Sequence, residues 1–263
     1  MSNVQVLVAC MHQKDASLYR EMNLQTDAIL ANQCDEYSYR QYLQPDGSTV
    51  QLISSADRGV GKNRNKALLY ASGKYLLCSD QDMIYVDNYA QIIEDAFRQC
   101  PKADIIVFGL AYLNRFTPPR KADGKFKRVH LWNCMRYGTA RVAMRKTAID
   151  KACLSFSTLY GGGAEFSSGE DSLFIRDAFR KGLKMYTSPV VIAQVKQETS
   201  SWFRGYTDKY FIDKGILIAN AFPVMKDLLL YYFAFGMRNI SKDYGFKRIC
   251  MLMKQGIRTF KQM

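Results

Sequence analysis

The run Val4 to Cys10, VQVLVAC, is β-rich and almost wholly apolar. A strand of that composition has no face to give to water, so it predicts a central strand buried on both sides. The segments that follow alternate in type. Asp15 to Asn32 reads as a helix, with Leu18, Met22, Ala28 and Ile29 near one face. A Pro45-Asp46-Gly47 turn leads into the short strand Val50 to Ser54. Gly61 to Ser72 reads as a helix ended by Gly73, a residue favoured after a helix C-terminus. Strand Tyr75 to Ser79, helix Tyr89 to Gln99 and strand Asp104 to Gly109 complete the series. This order predicts an α/β fold: a Rossmann-like mixed, mostly parallel sheet flanked by helices.

The rhythm changes beyond Asn114. Arg115 to Arg128 contains Pro118, Pro119 and Gly124 among basic residues and reads as a connecting loop. Gly138 to Lys146 reads as a strand, and Leu159 to Gly169 as a mobile Gly/Ser-rich loop. A helix from Asp171 to Lys181 and a strand from Pro189 to Val195 follow, and the pattern from Tyr206 onward is helical and basic. The expected organisation is therefore two halves of one domain, residues 1–114 and 115–205, and a helical C-terminal extension, residues 206–263.

With 263 residues, 48% of them hydrophobic, the chain can bury a sizeable core. Lys and Arg outnumber Asp and Glu by 37 to 24, a net charge of +13, which points to an anionic partner: nucleic acid, a phosphorylated ligand or an acidic membrane surface. The N-terminal Met-Ser-Asn and its β-like continuation do not match a secretory signal. The apolar stretch Leu228 to Met237 falls well short of the roughly 20 residues a spanning helix needs. Seven scattered Cys, with no C-x-x-C pair, argue against a disulfide framework or a zinc site. A cytoplasmic chain is expected.

Three segments carry residues suited to chemistry. The apolar Leu76-Leu77-Cys78-Ser79 runs straight into Asp80-Gln81-Asp82. On an extended backbone, carboxylates two residues apart project to the same side. At the carboxyl end of a strand in an open α/β sheet they would meet ligands, and their oxygens suit Mg²⁺ or Mn²⁺. A solvated acidic turn is the plainer alternative. Upstream, Arg58-Gly59-Val60-Gly61-Lys62-Asn63-Arg64-Asn65 sets cations and glycines at a helix start, where backbone N–H groups favour phosphate. It lacks the spacing of a Walker A loop and also fits a basic solvated turn. Third, Ser168-Gly169-Glu170-Asp171 opens a helix. Capping and the helix dipole account for these residue types, and so does a general base carried by a closing loop. His12 and His130 are read as structural or exposed.

In order and spacing these segments resemble the family 2 glycosyltransferases of the GT-A fold, particularly those that build bacterial capsule or other surface polysaccharides. The resemblance spans residues 4–205 and includes Asn32-Gln33-Cys34-Asp35, the R-G-x-G-K-x-R-N stretch, the D-x-D at Asp80 to Asp82, Gly169-Glu170-Asp171 and Ser200-Ser201-Trp202-Phe203. It implies a nucleotide-diphosphate sugar donor, with UDP the commonest nucleotide, and a glycan or lipid-linked oligosaccharide acceptor. Ala9 at the end of the first strand, Asn32, Gln33 and Asp35 would hold the base. Arg58, Lys62, Arg64, Asn65, Asp80 and Gln81 would complete the nucleotide site, with Arg64 along the diphosphate. Asp82, with Asp80, would bind Mn²⁺ or Mg²⁺. Asp171 would be the catalytic base of an inverting displacement, supported by Glu170. Gly162, Gly163 and Trp202 would face the acceptor, and Ser200 and Ser201 the diphosphate. Where the family often has a His, this chain reads Ile192-Ala193-Gln194-Val195-Lys196-Gln197, so Lys196 is assigned the diphosphate charge. The first strand ends Ala9-Cys10-Met11-His12 in place of the commoner Pro-x-Tyr-Asn.

The last part of the chain, from Met225, holds eight Lys/Arg against two Asp. Phe246, Ile249, Cys250, Met253, Ile257 and Phe260 recur at helical spacing beside Lys247, Arg248, Lys254, Arg258 and Lys261. Such a helix either rests on an anionic membrane surface, giving a peripheral enzyme on the inner face of the cell membrane, or packs as an ordinary element with its cations in water. Two other functions share parts of this pattern. A nucleotidyltransferase would use the paired carboxylates without needing Asp171. A basic nucleic-acid-binding module would need neither, and the chain has no recognisable nucleic-acid-reading motif, so no nucleic acid is expected. The oligomeric state is left open.

Overall fold

The computed structural model describes residues 2–112, 125–131, 133–196, 205–238 and 243–262. The chain divides into two compact units: Met1–Thr158 with Glu170–Thr199, and Leu159–Gly169 with Ser200–Met263. The first unit is α/β and the second helical.

The first unit begins with β1 (Val4–Met11), a helical turn α1 (Leu18–Glu21), β2 (Ala28–Gln33), β3 (Ser38–Leu43), β4 (Thr49–Ser55), α2 (Val60–Tyr70) and β5 (Tyr75–Asp80). It continues with β6 (Met83–Tyr85), α3 (Tyr89–Gln99), β7 (Ile105–Tyr112), β8 (Lys127–Arg128), β9 (Val142–Arg145), α4 (Lys146–Lys151), α5 (Glu170–Arg180) and β10 (Met185–Val195). These strands form one sheet in the order β3-β4-β2-β1-β5-β9-β7-β10-β6, with β8 pairing to β10. The block β4-β2-β1-β5 is parallel. So is β7 with β10, whereas β9 enters antiparallel between β5 and β7, and β3 and β6 are antiparallel edge strands.

The central strands are buried on both faces, as their composition requires. Val4, Val6 and Val8 of β1 pack into one apolar cluster with Leu30 of β2 and Leu77 of β5. Leu7, Ile29 and Leu76, one residue out of step, pack into a second cluster on the opposite face with Phe156 and Phe174. The period-2 alternation thus fills two cores from the same strands.

Several sequence expectations are corrected. The helix expected over Asp15 to Asn32 is a four-residue turn followed by β2. Asn23 turns left-handed at φ 54° and ends the helical stretch. The following run AILANQ is buried throughout, and a short apolar run gives no period by which to tell strand from buried helix. Gly73 is not a left-handed cap: α2 ends at Tyr70, and Ala71 is extended. Gly73 instead lies where a Cβ would stand 2.6 Å from that of Gln5, whose Oε1 accepts from the Ser72 and Gly73 N–H groups at 2.8 and 3.0 Å. The Pro45-Asp46-Gly47 turn does form, with Gly47 at φ 81°. It joins β3 to β4, and β3 escaped the sequence reading because an edge strand with exposed residues lacks a buried face to give it a period. Most of the expected connecting loop, residues 115–124, lies outside the described residues.

The helical unit comprises α6 (Asp208–Ala221), α7 (Lys226–Met237) and α8 (Phe246–Gln262). α6 and α8 approach closely through two glycines. A Cβ on Gly215 would collide with the Met253 carbonyl, and one on Gly256 with the Ile212 carbonyl. The loop 159–169, expected to be mobile, is tied to α6. The Ser167 N–H donates to Asp213 Oδ2 at 2.9 Å, Lys214 Nζ to Ser168 Oγ at 3.0 Å, and Lys209 Nζ to the Glu165 carbonyl at 2.9 Å. Ile249, Cys250, Met253 and Ile257 of the α8 stripe are buried in this unit's core with Phe211 and Leu230. The stripe from Ile249 to Ile257 is therefore an internal packing face, whereas Phe246 stays exposed.

Candidate active site

The parallel ladders bring the carboxyl ends of β1, β2, β4 and β5 to one edge of the sheet, the usual ligand side of an open α/β fold. In register, Ala9 lies between Ala31 of β2 and Asp80 of β5, and Gln33 lies beside Ser55 of β4.

The glycine turn before α2 is fixed to this edge. Gly59 adopts φ 115°, and its N–H donates to Gln33 Oε1 at 3.0 Å. One helical turn on, Asn63 Nδ2 donates to the carbonyls of Cys10 and Ala31, at 3.2 and 2.7 Å, so it straps α2 across β1 and β2. Gly61 allows the opposite side of α2 to touch backbone, since a Cβ there would collide with the Ser157 carbonyl. Asn65 closes this contact by exchanging hydrogen bonds with the Phe156 carbonyl and N–H at 2.9 and 2.7 Å.

Arg64, between these anchors, is turned into the site. Its side chain is 8% exposed, and its guanidinium donates to Asp80 at 3.0 Å, to Glu170 at 3.3 Å and, most closely, to Asp171. The guanidinium also lies 5.4 Å from the centre of the Phe156 ring. Burial by itself would lower the Arg64 pKa. The charges of Asp171, Asp80 and Glu170 more than offset this and hold it protonated. Three stretches up to 107 residues apart thus converge on one cation. The resemblance placed Arg64 along a diphosphate, whereas here its guanidinium binds carboxylates.

Asp171 is held on both oxygens. Thr139 Oγ1 donates to Oδ1 at 2.5 Å, and the Thr139 N–H donates to Oδ2 at 3.2 Å. Its side chain remains 28% exposed. Thr139 itself is fully buried, just before β9. Sequence reading missed Thr139, Asn63 and Phe156. A lone Thr in a loop carries no signal, although Asn63 stood inside the basic glycine segment.

Asp82 is not on an extended strand. β5 ends at Asp80, and Gln81 and Asp82 form the turn into β6, so the same-side geometry expected of i, i+2 carboxylates does not apply. The turn is braced. Gln81 Oε1 accepts from the Met11 N–H at 2.9 Å, and the Asp82 carbonyl accepts from the Lys196 N–H at 2.8 Å. Partial burial, and then the charge of Asp80, pushes the Asp82 carboxyl above the ordinary range. The hard oxygen donors of Asp80 and Asp82, two residues apart at this turn, fit a divalent cation. Among the described residues no group of three or more His, Cys, Asp or Glu forms a ready cage, so bound substrate or water would complete the coordination.

The remaining expected site residues are placed as follows. Asn32 is buried and engaged with Gln13 and Ser54, so its amide shapes the edge. Arg58 pairs with Asp35 and donates to the Cys34 carbonyl at 2.7 Å, on the exposed rim. Lys62 is exposed. Lys196 lies beside the Asp82 turn, with Nζ donating to the Glu21 carbonyl at 3.2 Å. Gly162 and Gly163 belong to the loop of the helical unit. Ser200, Ser201 and Trp202 lie outside the described residues.

A family model described as "Glycosyl transferase family 2" matches residues 26–158, just over half of the chain. No curated protein matches the sequence. Among solved structures, TarS residues 1–349 of S. aureus in complex with UDP-GlcNAc matches with a TM-score of 0.62 at 18% identity, covering 92% of this chain and 74% of that one. TarS residues 1–349 in complex with UDP gives 0.59 at 18% identity, covering 90% and 73%. A longer TarS structure gives 0.60 at 18% identity, and this chain spans only 45% of it. At such identity the likeness establishes the fold, a mixed α/β sheet of the GT-A kind.

Proposed function

The chain belongs to glycosyl transferase family 2, and on that premise we propose that it moves a sugar from a nucleotide diphosphate donor, UDP in the leading reading, to a hydroxyl of a glycan or lipid-linked oligosaccharide in surface polysaccharide synthesis. The observation that carries the reading is the Arg64 cluster, which ties Asp80 at the end of β5 to the carboxylates that open α5. Donor-side and acceptor-side chemistry thereby meet at one buried guanidinium. That TarS was solved with UDP-GlcNAc and with UDP supports a uridine diphosphate donor.

Asp171 takes the acceptor's proton. Arg64 and Thr139 fix its Oδ1, and Oδ2, with its single longer bond to the Thr139 N–H, is the oxygen that accepts. As the proton leaves, the hydroxyl oxygen bonds to the anomeric carbon from the side opposite the diphosphate, and the donor's C–O bond breaks toward the diphosphate, inverting the centre. A positioned base of this kind contributes about 10²–10⁴-fold. Glu170 keeps the guanidinium in place.

Asp82, with the Asp80 oxygen turned away from Arg64, would hold Mn²⁺ or Mg²⁺, which would neutralise the charge that grows on the departing diphosphate. Arg58 and Lys62 stand on the exposed rim beside the glycine turn, where cations favour the approach of a phosphorylated donor.

The test is a thermal-shift screen of nucleotide sugars with Mn²⁺, followed by turnover assays on the donor that stabilises most. A bound donor raises the apparent melting temperature by mass action. Asp171→Asn should keep that shift and lose transfer. If the variant transfers sugar normally, the assignment of Asp171 as the base fails.

A further inference from the structure

α7 is apolar all round. Leu230, Ala234 and Met237 are buried in the helical unit's core. On its other face Leu228, Tyr231, Tyr232 and Phe235, spaced at successive helical turns, are 65%, 44%, 74% and 58% exposed. Val224, 92% exposed, extends the stripe just before the helix. A helix apolar on every side ordinarily sits in a core or a membrane. Twelve residues are too few to span, since a crossing takes roughly 20. No helix among the described residues is long and apolar enough to cross a membrane. The outer stripe of α7 therefore calls for an apolar cover.

Cations border it. Arg238 lies 3.7 Å from the centre of the Phe235 ring, and Lys254 of α8 lies 5.2 Å from that of Tyr231. A groove of about 580 Å³ beside them is lined by Tyr231, Phe246, Lys254 and Arg258. Asp227 is paired with Lys226 at 3.7 Å, so the local charge is positive. Aromatic and aliphatic side chains rimmed by Lys and Arg match the boundary between acyl chains and anionic headgroups. A second copy of the chain fits poorly. From Met225 onward it carries eight Lys/Arg against two Asp, and two such faces would set cation against cation.

We propose that the outer face of α7, with Arg238, Lys254 and Arg258 at its rim, seats the protein on the surface of an anionic lipid bilayer. Ile249, Met253 and Ile257 of the α8 stripe play no part in this, because they are buried in the helical unit's core.

The full chain, without sugar donor, is sedimented with phosphatidylcholine vesicles and with vesicles that also contain phosphatidylglycerol. Binding should favour the anionic vesicles and weaken with salt. Lys254→Gln with Arg258→Gln should weaken it by about fivefold per cation removed. Leu228→Ser with Tyr232→Ser should weaken it by about tenfold or more through lost apolar burial. Both pairs are exposed, and an unchanged melting midpoint checks that the variants fold. Equal binding to both vesicle types, no binding, or full binding by the serine variant overturns the proposal. So does concentration-dependent self-association in sedimentation velocity that the serine variant abolishes, which would make the face an interface between copies. Because no donor is present, the outcome stands apart from the transfer chemistry.

Discussion

Arg64 donates to Asp80 across 3.0 Å while also holding Glu170 and Asp171, and its own side chain is almost wholly buried. Removing the guanidinium strands three carboxylates around one space. Arg64→Met should therefore cost about 2–3 kcal/mol, somewhat less than a fully buried pair because Asp80 and Asp171 are partly exposed. Arg64→Lys restores a charge but not the planar fork, so it should recover part of the stability and little of the turnover. Urea denaturation with transfer assays on both variants separates the two effects.

With Asp171 as the proposed base, Thr139 would act on the reaction through it. Thr139→Val keeps shape and removes the hydroxyl that donates to Oδ1. Turnover should fall about tenfold, in the range of one lost hydrogen bond to a charged group, with the donor's KM unchanged. Thr139→Ser should restore most of it. A Val variant that loses stability and donor affinity together would mark Thr139 as merely structural.

Glycine substitutions should split by location. Gly→Ala inside a helix ordinarily gains about 1 kcal/mol from propensity alone. At Gly236 of α7 nothing lies within 4 Å of the added carbon, so Gly236→Ala should stabilise. At Gly61, Gly215 and Gly256 the new carbon meets a backbone carbonyl that cannot rotate away. Overpacking of this kind costs about 1–3 kcal/mol, so steric conflict outweighs propensity and the sign reverses. Melting midpoints of the four variants read it directly.

Asp82→Ala should abolish the extra thermal stabilisation that Mn²⁺ gives with a nucleotide sugar, and chelation should have the same effect on the native protein. Stabilisation that persists in the variant, or after chelator, would show donor binding carried by cations alone.

The first half of the fold was legible where strands and helices have plain signatures. VQVLVAC reads as a buried central strand because its three valines favour extended backbone, and Tyr89 to Gln99 reads as α3 because its amphipathic period marks a helix. β2 was lost to the ambiguity of a short apolar run, and β3 and β6 to exposure and brevity. In the site, Arg64, Asp80 and Asp171 were all named from sequence, and the structure brings them together. What sequence could not supply was direction. The same basic segment that reads as a phosphate cradle turns its Arg inward, because Asn63 and Asn65 fix the helix on either side of it. The α8 stripe shows the same limit. Periodicity identified an apolar face but not that α6 covers it.

β6 holds to the sheet through β10, with Tyr85 opposite Ala193 and Met83 opposite Val195. The Lys196 N–H then closes on the Asp82 carbonyl at 2.8 Å. The acidic turn is thus propped by residues that follow the family-matched segment by some distance in the chain. For anyone grafting the segment up to residue 158 onto another chain, a junction there would part the Asp82 turn from its prop. A splice placed after Lys196 would carry the turn and its support together.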